Sequence, residues 1–500
     1  MIATPGDLVK LRVVNNWAPA DIPSFAVVGR VNMGKSAVLS TLLEIDDNEL
    51  IRVSPTPGET TRCQIHRVVF SGRECLRFID TPGFSQPIEA MRAIQHMHGV
   101  GTPMIETLRR FVARRETDFE DERRLLEPLL DGAGILYIVD PARPLRDDFL
   151  AEMEILRWTG RPRLALLNRH ADSENPEVEE AWRSQLGAAF NLTRSFDAHQ
   201  ARYPERLKLL RSLLEIEERH HAALKETIRL VEDEWTQRRE QSAEILLEYL
   251  ETALGLRVAS TLEEKDLTLP SRRERKKQLL AERYFRELRE LEQRGTKQLL
   301  AVYRHHLLHQ DSDPSGYAGL DLAHEETWSK WGLRRGQLTT AAALAGAAAG
   351  FGVDLATGGL THGVGTAIGA LTGATAAWFK GGTLPDLRLD LSGGINLKPG
   401  EGRELRLGPP NNPNFPWVLL DAMLVRYSQI LERAHGRRDA QHLHAEGPGY
   451  TQSFPRHRRE VLAKWFGSCL KGSPNRGIEP EVFEELVRCL AGIPANPDPA

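Results

Sequence analysis

The stretch Phe25–Ser36, FAVVGRVNMGKS, constrains this chain more than any other. Its apolar start, Phe25 to Val28, reads as a buried parallel strand. The run breaks at Gly29 and continues through Gly34-Lys35-Ser36, filling every fixed position of G-x-x-x-x-G-K-[ST]. The spacing has a physical reason. Glycines at 29 and 34 let the backbone turn tightly, so that successive N–H groups point inward at phosphate oxygens. Lys35 then reaches the outer phosphates, and the Ser36 hydroxyl ligates Mg²⁺. A helix starting at Ser36-Ala37-Val38-Leu39 adds its positive N-terminal end. The residues predicted to line this cradle are Gly29, Arg30, Asn32, Met33, Gly34, Lys35, Ser36 and Ala37. A strand before and an apolar helix after weigh against a chance glycine turn.

Five hundred residues are enough for roughly two to four domains with real cores. A net charge of −4 and an isoelectric point near 6.5 argue against a general nucleic-acid binder. The four cysteines, Cys63, Cys75, Cys469 and Cys489, lack metal-type spacing and read as reduced thiols. No apolar segment follows a basic start at the N-terminus, so a cytoplasmic location is expected for the catalytic part.

Residues 1–22 read as a lead-in with turn formers, and residues 23–214 as the nucleotide domain. A helix to about Leu43 is followed by the polar loop Ser54 to Arg62 and an alternating strand from Cys63 to Phe70. The strand Leu76 to Ile79 runs into Asp80-Thr81-Pro82-Gly83. An Asp at such a strand end holds the Mg²⁺ shell, and the Gly lets a backbone N–H approach the γ-phosphate. About forty-five residues downstream of a complete phosphate loop, this match is specific.

Together, Gly29–Ser36, Thr60-Thr61-Arg62 and Asp80–Gly83 resemble the Era/TrmE-type branch of translation-factor-like small GTPases. The resemblance implies a mainly parallel α/β sheet between helices, GTP and GDP as ligands, and hydrolysis with Mg²⁺ held by Ser36, Thr61 and Asp80. Thr61 is then the switch threonine, with Thr60 as the alternative, and Gly83 the γ-phosphate sensor. Lys35, Thr61 and Gly83 are the residues assigned to catalysis. Phe84 stands where Ras-like enzymes carry a water-orienting glutamine. Some family members use K⁺ on the loop asparagine, here Asn32.

Between Phe84 and Gly132 lies an insertion with three helix-forming stretches, Ile88 to Met97, Met104 to Arg115 and Asp121 to Leu130. Surface helices are the favoured reading, and an effector-coupled element the other. Buried strands at Gly134 to Val139 and Arg163 to Asn168 flank a helix from Asp147 to Trp158. The family's base-reading N-K-x-D is met as Asn168-Arg169-His170-Ala171-Asp172, with Arg for Lys and the Asp one residue late. Asp172 as base reader and Asp172 as turn residue stand about even. Ser195 to His199 stands where the family has its S-A-x loop, with Ser195 as the candidate. A nucleotide other than GTP therefore stays open.

From Tyr203 the sequence becomes long, charged and helical. Leu224, Ile228, Val231, Trp235, Ile245 and Tyr249 read as one apolar stripe. A second helix runs from about Ser271 to His309, so residues 215–336 read as an antiparallel helical hairpin turning near Leu262 to Pro270. Residues 337–382 are rich in Gly and Ala. Gly346 and Gly350, then Gly365, Gly369 and Gly373, recur at four-residue steps, the spacing that lets helices approach closely in lipid. Trp328, Lys330, Trp331, Trp378 and Lys380 flank this stretch as interfacial residues do. A membrane hairpin over 338–379 at the inner membrane, a soluble Gly/Ala hairpin and a self-assembly zipper that makes a homo-oligomer are the three readings. Residues 383–493 read as a small β segment, Leu387 to Leu391 pairing with Glu404 to Leu407, plus C-terminal helices. Residues 494–500 are a predicted disordered tail.

A nucleotide domain of this type followed by long helices resembles a bacterial group of GTPases whose C-terminal domain has no assigned function. The output has two leading classes, a membrane-associated GTPase and a ribosome- or RNA-assembly GTPase. No recognisable RNA-binding module supports the second.

Overall fold

The computed structural model describes residues 22–30, 32–44, 63–114, 118–169, 176–304, 403–409, 415–432 and 449–493. The chain divides into two compact units, the first reaching Thr236 and the second starting at Gln237. Thr60, Thr61, Arg62, Asp172, the Gly/Ala-rich 338–379, Leu387 to Leu391 and the 494–500 tail lie outside the described residues.

The first unit is an α/β fold. Its sheet has the order β2-β3-β1-β4-β5-β6: β1 (Ser24–Val28), β2 (Gln64–Phe70), β3 (Arg73–Asp80), β4 (Gly134–Val139), β5 (Arg163–Asn168) and β6 (Leu192–Phe196). All neighbours are parallel except β2, which returns antiparallel on β3 at the edge. Every residue of β4, and β1 after Ser24, is buried. Continuous apolar runs are what strands covered on both faces require. The helices are α1 (Lys35–Leu43), α2 (Pro87–Met97), α3 (Met104–Ala113), α4 (Glu120–Leu130), α5 (Asp147–Trp158), α6 (Pro176–Ala189) and α7 (Tyr203–Ile216). Helices α2, α3 and α4 are the insertion, and all three fall where the sequence places them. They are packed, not loose. Ala90, Ile94, Leu108, Phe111, Leu125 and Leu129 join the core around the sheet. Three acidic residues in the first turn of α4 complement its helix dipole.

Helix α8 (His221–Gly255) carries the stripe read from sequence, but the stripe does not serve one hairpin. Leu224, Ile228 and Val231 complete the core of the first unit, and Trp235 stacks on Tyr203 at 3.9 Å between ring centroids. The helical period sets which face is apolar; the partner of each segment is decided by packing.

In the second unit, α10 (Pro270–Val302) runs antiparallel to the end of α8: Tyr249 lies against Gly295, and Ser242 bonds the Tyr303 hydroxyl. The expected turn between them is more elaborate. It contains β7 (Val258–Leu262) and the short α9 (Glu264–Thr268). Strand β8 (Arg403–Leu407) pairs antiparallel with β7, from Val258 opposite Leu407 to Leu262 opposite Arg403. The other expected partner, Leu387 to Leu391, lies outside the described residues. Val258, Leu262, Leu405 and Leu407 are buried while Glu404 and Arg406 form an exposed ion pair, the alternation of a one-sided ribbon. Helices α11 (Phe415–Glu432), α12 (Arg456–Leu470) and α13 (Glu479–Ala491) complete the described fold. Among the described residues no helix is long and apolar enough to cross a membrane.

Candidate nucleotide site

The parallel strands end in register. Val27 lies opposite Asp80, Val28 opposite Tyr137, Val139 opposite Leu167 and Asn168 opposite Phe196. The loops after β1, β3, β5 and β6 therefore leave one edge of the sheet, the edge where open α/β sheets bind ligands.

Two glycines shape the first loop. Gly29 has φ +153°, and a Cβ there would stand 2.4 Å from the Ile138 carbonyl oxygen. Gly34 has φ +85°, and its Cβ would stand 2.0 Å from the Asn168 amide nitrogen. Neither position accepts another residue without moving backbone or Asn168. Asn32 takes a left-handed φ of 64°, which Asn tolerates better than most residues. Lys35 curls back over the loop, its Nζ donating to the carbonyls of Gly29 at 2.8 Å and Arg30 at 3.2 Å. Burial lowers the Lys35 pKa, and the negative charges of Asp80 and Glu152 work against that. Ser36 and Ala37 follow in the first turn of α1, with the Val38 N–H closing onto the Gly34 carbonyl at 3.0 Å.

The second loop is fastened to the first. The buried Thr81 hydroxyl donates to the Val27 carbonyl at 2.9 Å, and Gly83 lies so near the phosphate loop that a Cβ there would stand 3.2 Å from the Gly29 oxygen. Phe84 is 7% exposed, so the side chain in the glutamine position is a core residue. Asp80, at the end of β3, is close enough for its charge to act on Lys35. A hydroxyl at 36 and a carboxylate at 80 are hard oxygen donors beside a phosphate cradle, the donor set Mg²⁺ takes. Among the described residues no cluster of three or more acidic, His or Cys side chains forms a separate metal site.

Asn168 is completely buried at the end of β5. Its amide donates to the Met33 carbonyl at 3.1 Å and its oxygen accepts the Ala198 N–H at 3.1 Å. One side chain ties the phosphate loop to the loop after β6. Ser195 is on β6 itself, its hydroxyl accepting from Arg183 at 2.5 Å. The residues that turn the chain at this edge are Asp197, whose carboxylate accepts the His199 and Gln200 N–H groups, and buried Ala198. Arg169, in the lysine position, is ion-paired to Glu179 of α6.

The Arg30 side chain reaches helix α5. It pairs with Glu152 at 2.5 Å and Asp148 at 2.6 Å, both on α5, and lies over the Phe149 ring at 4.6 Å. Glu152 is fully buried and also accepts the Tyr137 hydroxyl at 2.7 Å. Burial pushes the Glu152 carboxyl up, while Arg30 and Tyr137 pull it down. Sequence reasoning missed Glu152. The available signal was an acid on the apolar face Phe149, Met153, Leu156 of α5.

Residues 24–169 match the family described as 50S ribosome-binding GTPase. A probable GTP-binding protein EngB from Syntrophus aciditrophicus is 29% identical over 170 residues, 34% of this chain and 73% of that protein. Another from Desulfatibacillum aliphaticivorans is 32% identical over 102 residues, 20% of this chain and 43% of that protein. The N-terminal α/β fold is thus a GTP-binding P-loop GTPase domain. Residues 183–485, more than half of the chain, match the family described as Domain of unknown function (DUF3482). The chain belongs to that family. Its match begins inside α6, so it takes in β6 and the Asp197–His199 turn of the nucleotide fold.

Proposed function

We propose that this protein is a nucleotide switch of the Era/TrmE type, hydrolysing GTP to GDP slowly and passing nucleotide state to the helical C-terminal region. The observation that carries the reading is the glycine-walled loop with Lys35 folded over it and Gly83 pressed against it. Bound Mg²⁺ would be held by Ser36, Thr61 and Asp80 and would neutralise charge on the outer phosphates. Lys35 exchanges its two carbonyl partners for phosphate oxygens. The N–H of Gly83 meets the γ-phosphate, and the Thr81–Val27 bond holds that loop in place. With Phe84 buried, no side chain at that position orients the attacking water, which fits slow turnover. K⁺ held at Asn32 is the proposed stimulant.

The tertiary role of Asn168 supports nucleotide binding more directly than guanine selection, which rests on the likeness to GTP-binding proteins. For the output, the Gly/Ala stretch 338–379 favours attachment to a lipid surface from a cytoplasmic location. A second reading, action on a ribosomal particle, is favoured by the match of residues 24–169.

The test is equilibrium binding of fluorescent GTP, GDP and ATP analogues with Mg²⁺ to wild type and Lys35→Ala, followed by turnover in KCl and NaCl. GTP and GDP binding lost in the variant, with ATP excluded, is expected. Equal ATP binding would remove guanine from the reading, and equal turnover in the two salts would remove K⁺.

A further inference from the structure

The insertion helix α4 holds the backbone that leaves the Gly83 loop. Glu122, 1% exposed, accepts two N–H groups on one carboxylate oxygen, from Ser85 at 2.7 Å and Gln86 at 2.5 Å. Its neighbour Asp121 accepts the Ser85 hydroxyl at 2.5 Å. One turn on, the Arg124 carbonyl accepts from the Cys63 thiol just before β2, at 3.4 Å. The other Glu122 oxygen is buried with no hydrogen-bond partner among the described residues. A carboxylate this deep is sustained by two charge-assisted bonds and by its place in the first turn of its own helix.

These contacts fall at a telling place. Gly83 lies against the phosphate loop, Phe84 is locked in the core, and Ser85 and Gln86 are the last two N–H groups before Pro87 opens α2. The segment Gly83–Gln86 therefore lies against the phosphate loop at Gly83, is anchored in the core by Phe84 and is hydrogen-bonded by Glu122. The hydrogen bonds to this segment come from the insertion, through Glu122 and its neighbour Asp121.

We propose that Glu122 is a positioning residue for the γ-phosphate sensor: through Ser85 and Gln86 it places the Gly83 backbone, so that the α2–α4 insertion sets the preference for a triphosphate over a diphosphate. This rests on the GTPase reading above. The simpler role, a cap for the start of α2, predicts a loss of stability with no change in that preference.

The experiment measures affinity for GDP and for a non-hydrolysable GTP analogue, with Mg²⁺, in the full chain carrying Glu122→Ala, Glu122→Gln or Ser85→Ala. Glu122→Ala is expected to weaken the triphosphate analogue about tenfold while GDP affinity stays within about twofold. Glu122→Gln keeps an oxygen acceptor and restores most of the preference. Ser85→Ala removes only the exposed outer bond, without opening the core, and shifts the preference in the same direction by about twofold to threefold. If Glu122→Ala does not fold, the Gln and Ser85 variants decide. Equal losses for both nucleotides, or an unchanged ratio in all folded variants, would overturn the proposal. Failure of wild type to bind either nucleotide would instead sink the GTPase reading, and is told apart by that control.

Discussion

Each unit buries an arginine–glutamate pair, and the two pairs do different things. Arg30–Glu152 lies at the rim of the phosphate loop, with the glutamate side chain fully buried and the arginine 23% exposed. Arg426–Glu292 joins α11 to α10, with the two side chains 7% and 10% exposed. The chemistry is the same, and in both pairs the glutamate has given up most of its water. The setting differs. Beside the first pair are glycines that exclude any Cβ, a lysine on backbone carbonyls and converging strand ends. Beside the second are Met423 and the Tyr303–Tyr427 hydroxyl pair at 2.9 Å. A buried ion pair therefore marks function only when the backbone around it is shaped for a ligand.

The strongest way to break this comparison is Glu292→Ala. It takes the Glu292 carboxylate away from the buried Arg426, and should cost about 3–5 kcal/mol of stability in urea unfolding with nucleotide affinity unchanged. A fall in affinity at unchanged stability would make the two pairs alike. Gly29→Ala is the converse. With φ at +153° and 2.4 Å to the Ile138 oxygen, it should lower nucleotide affinity about 100-fold or more, while the helical far-ultraviolet signal stays. Retained binding would show that the loop adapts.

A third test sharpens the comparison through pH. Burial raises the Asp421 carboxyl from its usual 3.8 to about 6, although Thr451 donates to it through its N–H at 2.9 Å and its hydroxyl at 2.6 Å. Burial lowers His66, on β2, from 6.5 to about 4. The signs are opposite in effect. The native state favours neutral Asp421, so that contribution is full below pH 3.8 and is lost as pH rises through about 6. Neutral His66 contributes fully above pH 6.5, and its contribution is lost as pH falls toward 4. Asp421→Asn should therefore gain on wild type as pH rises from 4 to 8, on the order of 2 kcal/mol in urea titrations. His66→Gln should gain on wild type as pH falls over the same range. A gain in either variant that is independent of pH would refute the assignment.

The elements were legible wherever a local rule applied. The helices at 87–97, 104–113, 120–130 and 147–158 and the strands at 134–139 and 163–168 stand where apolar periodicity and length place them. Gly29 and Gly34 were legible because only glycine fits those backbone positions, and Gly83 because its motif needs a close backbone approach, with a Cβ there 3.2 Å from the Gly29 oxygen. What stayed illegible is long-range pairing. Nothing near Arg30 announces that its side chain goes to α5, 118 residues away. Asn168 is placed at the site by its motif, but the motif does not announce its bonds to Met33, 135 residues earlier, and to Ala198, 30 residues later. Ser195 fits the expected loop by count, but the strand runs one residue past it and the turn is made by Asp197 and Ala198.

The amino-acid sequence by itself determined that a phosphate-binding loop sits between a buried strand and a helix, and that three helices interrupt the nucleotide fold. Those properties follow from the conformational limits of glycine and from the 3.6- and 2-residue periods, which act over a few residues. Only the tertiary structure decided that β8 closes on β7, that one stripe on α8 serves two units, and that Glu122 in the insertion holds the loop after Gly83. Each of these is a polar or apolar group finding its partner once water is excluded. A buried N–H or carboxylate must be satisfied by whatever the fold brings near it, and a partner 36 residues away, as between Glu122 and Gln86, leaves no mark on its neighbours in the chain.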